Sequence, residues 1–305
     1  MNDKHYFPEG MLIKSAANRL AMSSISALDE ARSSGKILEA TVNMCGEGFD
    51  LYLDLGVCKG IIPREEVAWS EDGSLPRDIA IITRVGKAVS FVVESITKDD
   101  SGVTVAYLSR RRAQEECIKN YLNKLAIGDI IDARITHFEP FGAFCDIGCG
   151  VISLLSIDSI SVSRISHPSD RFTVGQVIKA CIKSREEALP VRGNISNGRL
   201  SLSHKELLGT WEENANRFKV GQTVAGVIRS IENYGVFVEL APNLAGLAEW
   251  KEDVEVGQIA SVYIKNIIPQ KMKVKLVIVD SFSTDRHFIK NEYYITSGNV
   301  ANWVY

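Results

Sequence analysis

Apolar and polar residues alternate along several short stretches of this chain, and each stretch follows the same glycine signal. An aliphatic residue, a glycine and then Lys, Gln or Asp begin at Val85, Ile127, Val174, Val220 and Val256, with a weaker copy at Ser34. In the stretches that follow, such as "QVIKACIKS" and "QTVAGVIRSI", apolar and β-branched residues recur at every second position. That period is typical of β-strands, and glycine often marks their boundaries. The pattern predicts a chain built mainly of short strands.

A longer repeat groups these strands into three units. The stretches "GFDLYLDLGVCKGII", "PFGAFCDIGCGVISLL" and "NYGVFVELAPNLAGLAEW" each carry two aromatics three residues apart, then an acid and a Leu or Ile. Their first aromatics, Phe49, Phe141 and Tyr234, are 92 residues (141 − 49) and 93 residues (234 − 141) apart. A fixed period is the signature of repeated domains. Five short strands in roughly 60 to 80 residues favour a small closed barrel over an open sandwich.

Between the units the apolar period becomes helical, with spacings of three and four residues. The two stripes are Ala113, Cys117, Tyr121 and Leu125, then Leu208, Trp211, Ala215 and Phe218. Another helix is predicted over "AANRLAMSSISALDEARSSG", ending near Gly35. The predicted domains are an N-terminal helical extension (1–34), barrels at 35–110, 127–205 and a shortened 219–280, helical linkers at 111–126 and 206–218, and a C-terminal tail at 281–305. The tail is expected to pack onto the third unit.

Composition narrows the possible partners and chemistry. The 305 residues carry a net charge of −3, so any binding of nucleic acid must come from local patches and stacking. The six cysteines form no CxxC pair, and no P-loop, nucleophile elbow, HExxH motif or zinc spacing is present, so no enzyme, metal or cofactor is predicted. No run of about 20 apolar residues and no secretory signal are found, which predicts a cytoplasmic protein with no membrane partner.

These motifs resemble the repeats of the bacterial small-subunit ribosomal protein S1 family, which are OB-fold barrels that bind RNA. Unit two carries the family's signals in order, as "IGDIIDARI", "FGAFCDIG", "SLLSID", "FTVGQVIKACI" and "GRLSLSHKEL". Unit one carries "FDLYLDLG", "KGIIPREE", "RVGKAVSFVV" and "VTVAYLSRRRAQEE". The resemblance covers roughly residues 35 to 280. It implies a mainly β protein of three tandem five-stranded OB-fold barrels joined by short α-helical linkers.

The chain departs from the family pattern in three ways. The family's third-strand histidine is replaced by Pro63, Ser156 and Glu249, so a histidine contribution to RNA binding is predicted to be missing. Unit three has 36 residues (257 − 221) between its two glycine signals, against 51 (86 − 35) and 47 (175 − 128), which predicts that it lacks the helical segment between strands three and four. Unit one has Asp50 on its aromatic strand, where an acid repels phosphate.

The aromatic pairs are the candidate RNA-binding site, because bases of single-stranded RNA stack on aromatic rings while Lys and Arg bind phosphates. Residues three apart on a straight strand face opposite sides, so Phe141 and Phe144 both face outward only if the strand bends at Gly142. The alternative is that one ring of each pair fills the barrel. The aliphatic core of unit two is predicted to contain Ile131, Ile135, Ile147, Val177 and Leu202.

Basic residues add to this candidate site. Arg199 matches a basic position near the family's RNA face, and "KMKVKL" places Lys271, Lys273 and Lys275 on one face of a strand. Solvated surface charge is the alternative for each. The full set of predicted RNA contacts is Phe141, Phe144, Arg199, Tyr234, Phe237, Phe49, Tyr52, Lys271 and Lys273. Three arginines follow Ser109 at a predicted helix start, where they oppose the helix dipole, so either a carboxylate or phosphate partner or a frayed start is expected.

Unit one differs in charge. Residues 35–110 hold 8 basic and 12 acidic side chains, a net charge of −4, which disfavours nucleic acid. In the S1 family the N-terminal repeats dock to the ribosome, and the acidity fits that role. The resemblance implies a factor that binds messenger RNA as a single strand on the small ribosomal subunit during translation initiation. The alternatives are a non-ribosomal RNA-binding regulator or accessory subunit of an RNA-processing or transcription complex, and a protein-binding scaffold.

Overall fold

The part of the chain that the structure describes contains three closed five-stranded barrels, as the sequence predicts. The computed structural model describes residues 6–186, 199–283 and 291–305. Barrel 1 contains β1 (Leu38–Cys45), β2 (Leu51–Asp54), β3 (Lys59–Ile62), β4 (Ala88–Lys98) and β5 (Thr104–Ser109). Barrel 2 contains β6 (Ile130–Glu139), β7 (Gly142–Asp146), β8 (Ile152–Ser156), β9 (Val177–Arg185) and β10 (Leu200–Ser203). Barrel 3 contains β11 (Thr223–Glu232), β12 (Gly235–Ala241), β13 (Leu244–Ala248), β14 (Ile259–Ile268) and β15 (Lys273–Phe282).

All three barrels share one strand order. The first three strands form an antiparallel meander, the fifth strand pairs parallel to the third, and the fourth closes the barrel between the fifth and the first. This is the partly parallel Greek-key order of an OB fold. The outer surface of strands two, three and five therefore forms one continuous sheet in each barrel.

The recurring glycine signals share one backbone conformation. They are Gly35, Gly86, Gly128, Gly175, Gly221 and Gly257, with φ between +60° and +95°. Each lies two residues before the first or fourth strand of its barrel, except Gly35, which lies three residues before β1. Residues other than glycine rarely adopt this left-handed backbone conformation. The motif therefore records the same turn, made twice in every barrel.

Inward-facing aliphatic side chains fill each barrel. In barrel 2, the predicted core residues that are buried are Ile131, Ile135, Ile147 and Leu202. The prediction for Val177 is wrong, since its side chain is 42% exposed. Val177 is the first residue of β9 and faces outward, so the next residue, Ile178, takes the inward position and is 2% exposed.

The helices are shorter than the apolar stripes suggest. They are α1 (Ala16–Ala21), α2 (Ile25–Ser33), α3 (Asp78–Ile82), α4 (Arg110–Asn120) and α5 (Trp211–Ala215). The single N-terminal helix predicted from the sequence is wrong, because the Ser24 side chain accepts a hydrogen bond from the backbone N of Ala27 and starts a second helix there. No helix lies between β13 and β14, where residues 249–258 are all described, as predicted for the short third unit.

The arginines at the start of α4 all have carboxylate partners. Arg110 Nε lies 2.6 Å from Glu9, Arg111 Nη2 lies 2.7 Å from Glu66, and Arg112 Nη1 lies 2.9 Å from Glu94. The Ser109 side chain caps the helix by accepting from the backbone N of Arg112. The expected carboxylate partners are therefore found within the chain.

The N-terminal segment before α1 joins barrels 1 and 2. The buried Glu9 carboxylate accepts hydrogen bonds from Arg110 Nε at 2.6 Å and from the backbone N of Ser90 at 3.0 Å. The Glu9 backbone N donates to Asp146 of barrel 2 at 2.7 Å, and Arg134 Nη1 donates to the Glu9 carbonyl at 2.6 Å. One short segment thus bonds to both barrels.

A buried ion pair joins barrels 2 and 3. Arg171 of barrel 2 donates to the carboxylate of Glu239 in β12, and Arg229 Nε donates to the same carboxylate at 2.5 Å. The Arg171 and Glu239 side chains are fully buried. Backbone contacts reinforce the pair, since Ser163 N donates to the Pro242 carbonyl at 3.0 Å.

The described part of the C-terminal tail, 291–305, packs mainly on barrel 2, so the expected packing on the third unit is wrong. The backbone N atoms of Lys179 and Ile130 in barrel 2 donate to the Tyr293 hydroxyl at 3.1 Å and the Gly298 carbonyl at 3.0 Å. The last residue contacts barrel 3, where the Tyr305 hydroxyl donates to the Asn243 carbonyl at 2.8 Å. The tail's residues 284–290 lie outside the described residues.

Candidate nucleic-acid interface

Both aromatic rings of barrel 2 lie on its outer surface. Phe141 stands in the tight turn between β6 and β7, where Glu139 pairs with Gly142, and it is 54% exposed. Phe144 is half-buried, while its strand neighbours Ala143 and Cys145 face the core. The ring centroids of Phe141 and Phe144 are 6.1 Å apart and the planes meet at 83°, an edge-to-face contact.

Gly142 has a different role from the predicted bend. Its φ lies outside the left-handed region, and it is the first residue of β7. A Cβ at this position would lie 2.5 Å from the Leu155 carbonyl oxygen, so only glycine allows β8 to approach this closely. Phe141 shares the outer side with Phe144 because it belongs to the turn, not because the strand bends.

His137 completes this aromatic surface, although it was not among the residues predicted from the sequence. Its ring stacks on Phe144 with centroids 4.5 Å apart and planes within 7°. His137 is exposed on β6 and lies directly opposite Phe144 in the hairpin register. The prediction that a histidine contribution is missing referred only to the third strand of each barrel. Counting back from the Pro140–Phe141 turn gives the cross-strand partner of Phe144, and that signal was available in the sequence.

A row of outward side chains continues from these rings across barrel 2. We define the barrel 2 row as the directly paired residues His137, Phe144, Leu154, Ser201 and Ser184. All five are exposed or half-buried. Arg199 is exposed immediately before β10, at the edge of the row. The row therefore offers stacking, apolar and hydroxyl groups on one surface with a guanidinium beside it.

Barrel 3 repeats the aromatic geometry. Tyr234 stands in the β11–β12 turn and is 69% exposed, and its ring meets that of Phe237 edge to face at 6.2 Å and 89°. The corresponding barrel 3 row is Ser230, Phe237, Leu247, Lys275 and Asn266. Here the fifth strand supplies a lysine where barrel 2 has Ser201.

The lysines of barrel 3 lie at one end of β15. Lys273 is its first residue and is exposed, as is Lys275 two residues later. Lys271 is also exposed but lies in the turn before the strand, so its predicted strand position is wrong. Pro269 and the left-handed Met272 shape that turn, which is why the strand starts later than the alternating pattern suggests.

The aromatic pair of barrel 1 is arranged differently. Phe49 has φ +66°, is half-buried and packs against the barrel 1 core. The Arg64 guanidinium lies 4.7 Å above its ring and pairs with Asp78 at 2.6 Å. Tyr52 is half-buried. The face of Phe49 is thus covered by a cation of the same chain.

Asp50 follows Phe49 at the position that Gly142 occupies in barrel 2. Its carboxylate accepts a hydrogen bond from the Arg64 backbone N at 2.9 Å. The acid on the aromatic strand therefore has a structural partner and helps to hold Arg64 over Phe49. Residues 35–110 carry 8 basic and 12 acidic side chains, whereas residues 127–205 carry 9 and 8.

Other kinds of site find no support in the described residues. No group of three or more His, Cys, Asp or Glu side chains within 6–186, 199–283 and 291–305 could hold a metal ion. Over the same ranges, no helix is both long and apolar enough to cross a membrane.

Comparisons with known proteins find similarity to an RNA-binding domain family and to ribosomal proteins. The model of the S1 RNA binding domain family matches residues 124–188, which include the strands of barrel 2 up to β9. The small ribosomal subunit protein bS1 homolog of Bacillus subtilis is 27% identical over 260 residues, covering 83% of this chain and 62% of that protein. The bS1 protein of Staphylococcus aureus is 27% identical over 292 residues, covering 88% and 70%. The chain thus spans less than two thirds of the Bacillus subtilis relative.

A solved structure of a multidomain protein with nucleic acid binding domains, from Streptococcus pneumoniae, aligns with 82% of this chain and 75% of its own. Its sequence is 12% identical and the TM-score is 0.25, a likeness too weak to carry weight. The family match and the bS1 relatives are what confirm the resemblance drawn from the sequence.

Proposed function

We propose that this chain is a member of the S1 RNA-binding family and that it binds single-stranded RNA on the outer aromatic surfaces of barrels 2 and 3. The observation that carries the proposal is the edge-to-face pair repeated in both barrels, at 6.1 Å for Phe141 and Phe144 and at 6.2 Å for Tyr234 and Phe237. In each pair one ring is largely exposed and the other rests on the sheet. Such rings offer faces and edges on which unpaired bases stack.

Stacking supplies most of the binding energy in this account. Each stacked base contributes about 1–3 kcal/mol, and stacking tolerates any base sequence. Basic side chains near the rings are few, with Arg199 beside barrel 2 and Lys273 and Lys275 beside barrel 3. Duplex nucleic acid hides its base faces, so the surface selects single strands. The role is one of binding, in keeping with a family of RNA-binding ribosomal proteins rather than enzymes.

The proposed setting is translation. The curated relatives carry the name of a small ribosomal subunit protein, and we extend that association to this chain as a factor that holds messenger RNA on the small subunit during initiation. Barrel 1 is the proposed contact to the ribosome, since Arg64 covers Phe49 and its residues 35–110 are net acidic. A cytoplasmic location accompanies this role.

Binding of a labelled pyrimidine oligoribonucleotide to the full chain, followed by anisotropy across a salt series, tests the proposal. We expect micromolar or weaker affinity with a shallow salt dependence, because few phosphates are neutralised. An unlabelled duplex of the same length should compete poorly. A steep salt dependence or equal competition by duplex would contradict stacking as the mechanism.

Sedimentation of small ribosomal subunits at low salt tests the setting separately. We expect the chain to co-sediment with the subunit, and a barrel 1 variant with reduced surface acidity, Glu47→Gln with Asp99→Asn, to co-sediment less. If the chain binds RNA but never co-sediments, the proposed function is that of a non-ribosomal RNA-binding protein instead.

A further inference from the structure

A groove of about 600 Å³ separates barrel 1 from barrel 2 and opens beside the barrel 2 row. One wall contains Phe144, Leu154 and Ser201, three members of that row. The facing wall comes from barrel 1 and its linker, with Trp69 and Gln114. The volume lies within the range of about 300–1,000 Å³ that small-ligand sites occupy in proteins. The groove is therefore continuous with the candidate RNA surface and has an aromatic ring on each side.

Trp69 is held in place from two directions. Its backbone N donates to the Gln114 side-chain oxygen at 2.8 Å, and Gln114 is buried on α4. The Trp69 side chain is half-buried and packs against the core cluster that includes barrel 2. An indole fixed in this way loses little conformational freedom when a second planar group stacks on its open part.

Positive charge lies inside the groove. Arg84 lines it with its side chain 26% exposed, and Glu9 is 3.8 Å from the Arg84 Nη1 atom. The same Glu9 carboxylate lies 2.6 Å from Arg110, so one carboxylate faces two guanidinium groups. Asp146 is the other acid nearby, and burial raises its pKa to about 7, which limits the negative charge it supplies at neutral pH. A phosphate oxygen can complete the charge balance at Arg84.

The rim of the groove carries both signs of charge. Arg199 lies there on the barrel 2 side, together with Glu186, and Glu71 lies on the barrel 1 side. The two carboxylates disfavour a continuous run of phosphates, such as a duplex would present. A single nucleotide that enters with its base first avoids them. The lining thus fits one flipped-in nucleotide better than a length of backbone.

We propose that this groove binds a nucleotide of the same RNA strand that crosses the barrel 2 row, with its base against Trp69 and its phosphate toward Arg84. The inference rests on the proposed RNA binding by barrel 2. It assigns barrel 1 a part in that binding, through a residue outside its own aromatic pair. Barrels 1 and 2 then act on RNA as one unit, held together by the bonds of Glu9.

The test uses the full chain and pyrimidine oligoribonucleotides of increasing length. In the unaltered protein, affinity should rise in a step once the strand is long enough to reach from the barrel 2 row into the groove. Trp69→Ala should remove that step, a loss of roughly tenfold for the long strands, and should leave the shortest strands unaffected. Trp69→Phe keeps an aromatic face and should retain most of the step.

A second variant keeps the test decisive if Trp69→Ala lowers the melting temperature. Ile152 lines the groove and is exposed on β8, so Ile152→Glu adds a charge to the wall without touching a core position. It should abolish the same step. Long-strand affinity unchanged in Ile152→Glu and in folded Trp69→Ala overturns the groove proposal.

Phe144→Ala separates this failure from a failure of the proposed function. If Phe144→Ala weakens binding of every strand while the groove variants change nothing, barrel 2 binds RNA and the groove does not. If Phe144→Ala also leaves every affinity unchanged, RNA does not bind at the barrel 2 row and both proposals fall together.

Discussion

Barrels 1 and 2 share a strand order and the same glycine turns, yet they present the same aromatic motif in opposite ways. In barrel 2 the β6–β7 connection is the two residues Pro140 and Phe141, so Phe141 projects from the turn beside Phe144. In barrel 1 the β1–β2 connection is the five residues 46–50, and Phe49 folds back onto the core beneath Arg64. The difference indicates that the length of the loop between the first two strands of a barrel, rather than the spacing of the aromatics, decides whether the first aromatic ring projects from the surface or packs on the core.

Barrel 3 supports this reading of the difference. Its β11–β12 connection also has two residues, Asn233 and Tyr234, and it shows the same exposed edge-to-face pair as barrel 2. The net acidic charge of barrel 1 and the cover of Arg64 over Phe49 both disfavour RNA binding there. Barrel 1 is thus the repeat whose surface is least suited to RNA by itself, whereas barrels 2 and 3 carry exposed rings on which bases could stack.

The largest effect should separate the inner from the outer side of barrel 2. Leu155 is fully buried on β8, whereas its neighbour Leu154 belongs to the outward row. Leu155→Ala should lower the free energy of unfolding by about 2–5 kcal/mol through the cavity it leaves. RNA affinity of the folded protein should stay unchanged. Denaturant unfolding and oligonucleotide binding on the same sample measure the two quantities.

Leu154→Ala is the matched control. It should destabilise the fold much less and weaken RNA binding, because its side chain lies between Phe144 and Ser201 on the outer surface. If Leu155→Ala instead abolished RNA binding in the folded protein while Leu154→Ala left it unchanged, the assignment of inner and outer faces would be reversed.

Two buried groups, Glu39 in barrel 1 and His204 in barrel 2, should contribute opposite pH dependences to stability. In barrel 1, burial raises the pKa of Glu39 to about 7, despite hydrogen bonds from the backbone N atoms of Gly10 and Leu12. In the unfolded chain this carboxyl titrates near 4.5. Between these values the folded state binds a proton that the unfolded state has lost, so stability falls as pH rises from about 4.5 to 7. The loss should be on the order of 1–3 kcal/mol.

His204 in barrel 2 should contribute the opposite slope. Burial lowers the pKa of His204 from 6.5 to about 4, so the unfolded chain gains a proton first and stability falls as pH drops through that window. Unfolding free energies measured from pH 4 to pH 8 on the unaltered chain, Glu39→Gln and His204→Gln isolate the two contributions. A Glu39→Gln variant with the unaltered slope between pH 4.5 and 7 would rule out the buried carboxyl as its source.

Substituting one ring of each aromatic pair should distinguish the two barrels in RNA binding. Phe144→Ala should weaken binding by about 1–3 kcal/mol, because it removes both its own stacking face and the support for His137. Phe49→Ala should leave RNA affinity unchanged and lower the melting temperature, since Phe49 packs on the barrel 1 core. Equal losses of affinity for the two variants would show that Arg64 does not close the barrel 1 site.

The smallest effect concerns single lysines. Lys273→Ala in barrel 3 should reduce the slope of log affinity against log salt by about 0.7, the value expected for one phosphate contact on a single strand. Lys59→Ala, an exposed lysine on β3 of barrel 1, is the control and should leave the slope unchanged. A lower slope for Lys59→Ala would place RNA on the β3 surface of barrel 1, away from the groove.

The fold could be predicted from the sequence because repetition exposed it. Three copies of the aromatic motif and six copies of the glycine turn reveal the barrels. Details of single strands were less predictable, since Val177 on β9 faces outward although alternation predicted it to face the core. The site was only partly predictable. The outward position of Phe144 follows from alternation, but its stacking partner His137 and the cover that Arg64 places over Phe49 depend on contacts between separate strands and loops.

Contacts between barrels were even less predictable from the sequence. Nothing in the sequence pattern indicates that Glu9 bonds to both Arg110 and Asp146, or that the tail returns to barrel 2 through Tyr293. Trp69 likewise stands in a connection with no recognisable motif, and only the docking of barrel 1 onto barrel 2 brings it opposite Phe144. Such features arise from tertiary packing between residues far apart in the chain.

Photo-cross-linking tests the central claim most directly, that RNA lies on the outer aromatic surface of barrel 2. A pyrimidine oligoribonucleotide carrying 5-iodouridine is irradiated with the full chain, and the adducts are located by mass spectrometry. The account predicts adducts on Phe144, Phe141 or His137 of barrel 2, fewer on Tyr234 and Phe237 of barrel 3, and none on Phe49. Adducts concentrated on Phe49 and Tyr52, with none on the barrel 2 rings, would contradict it.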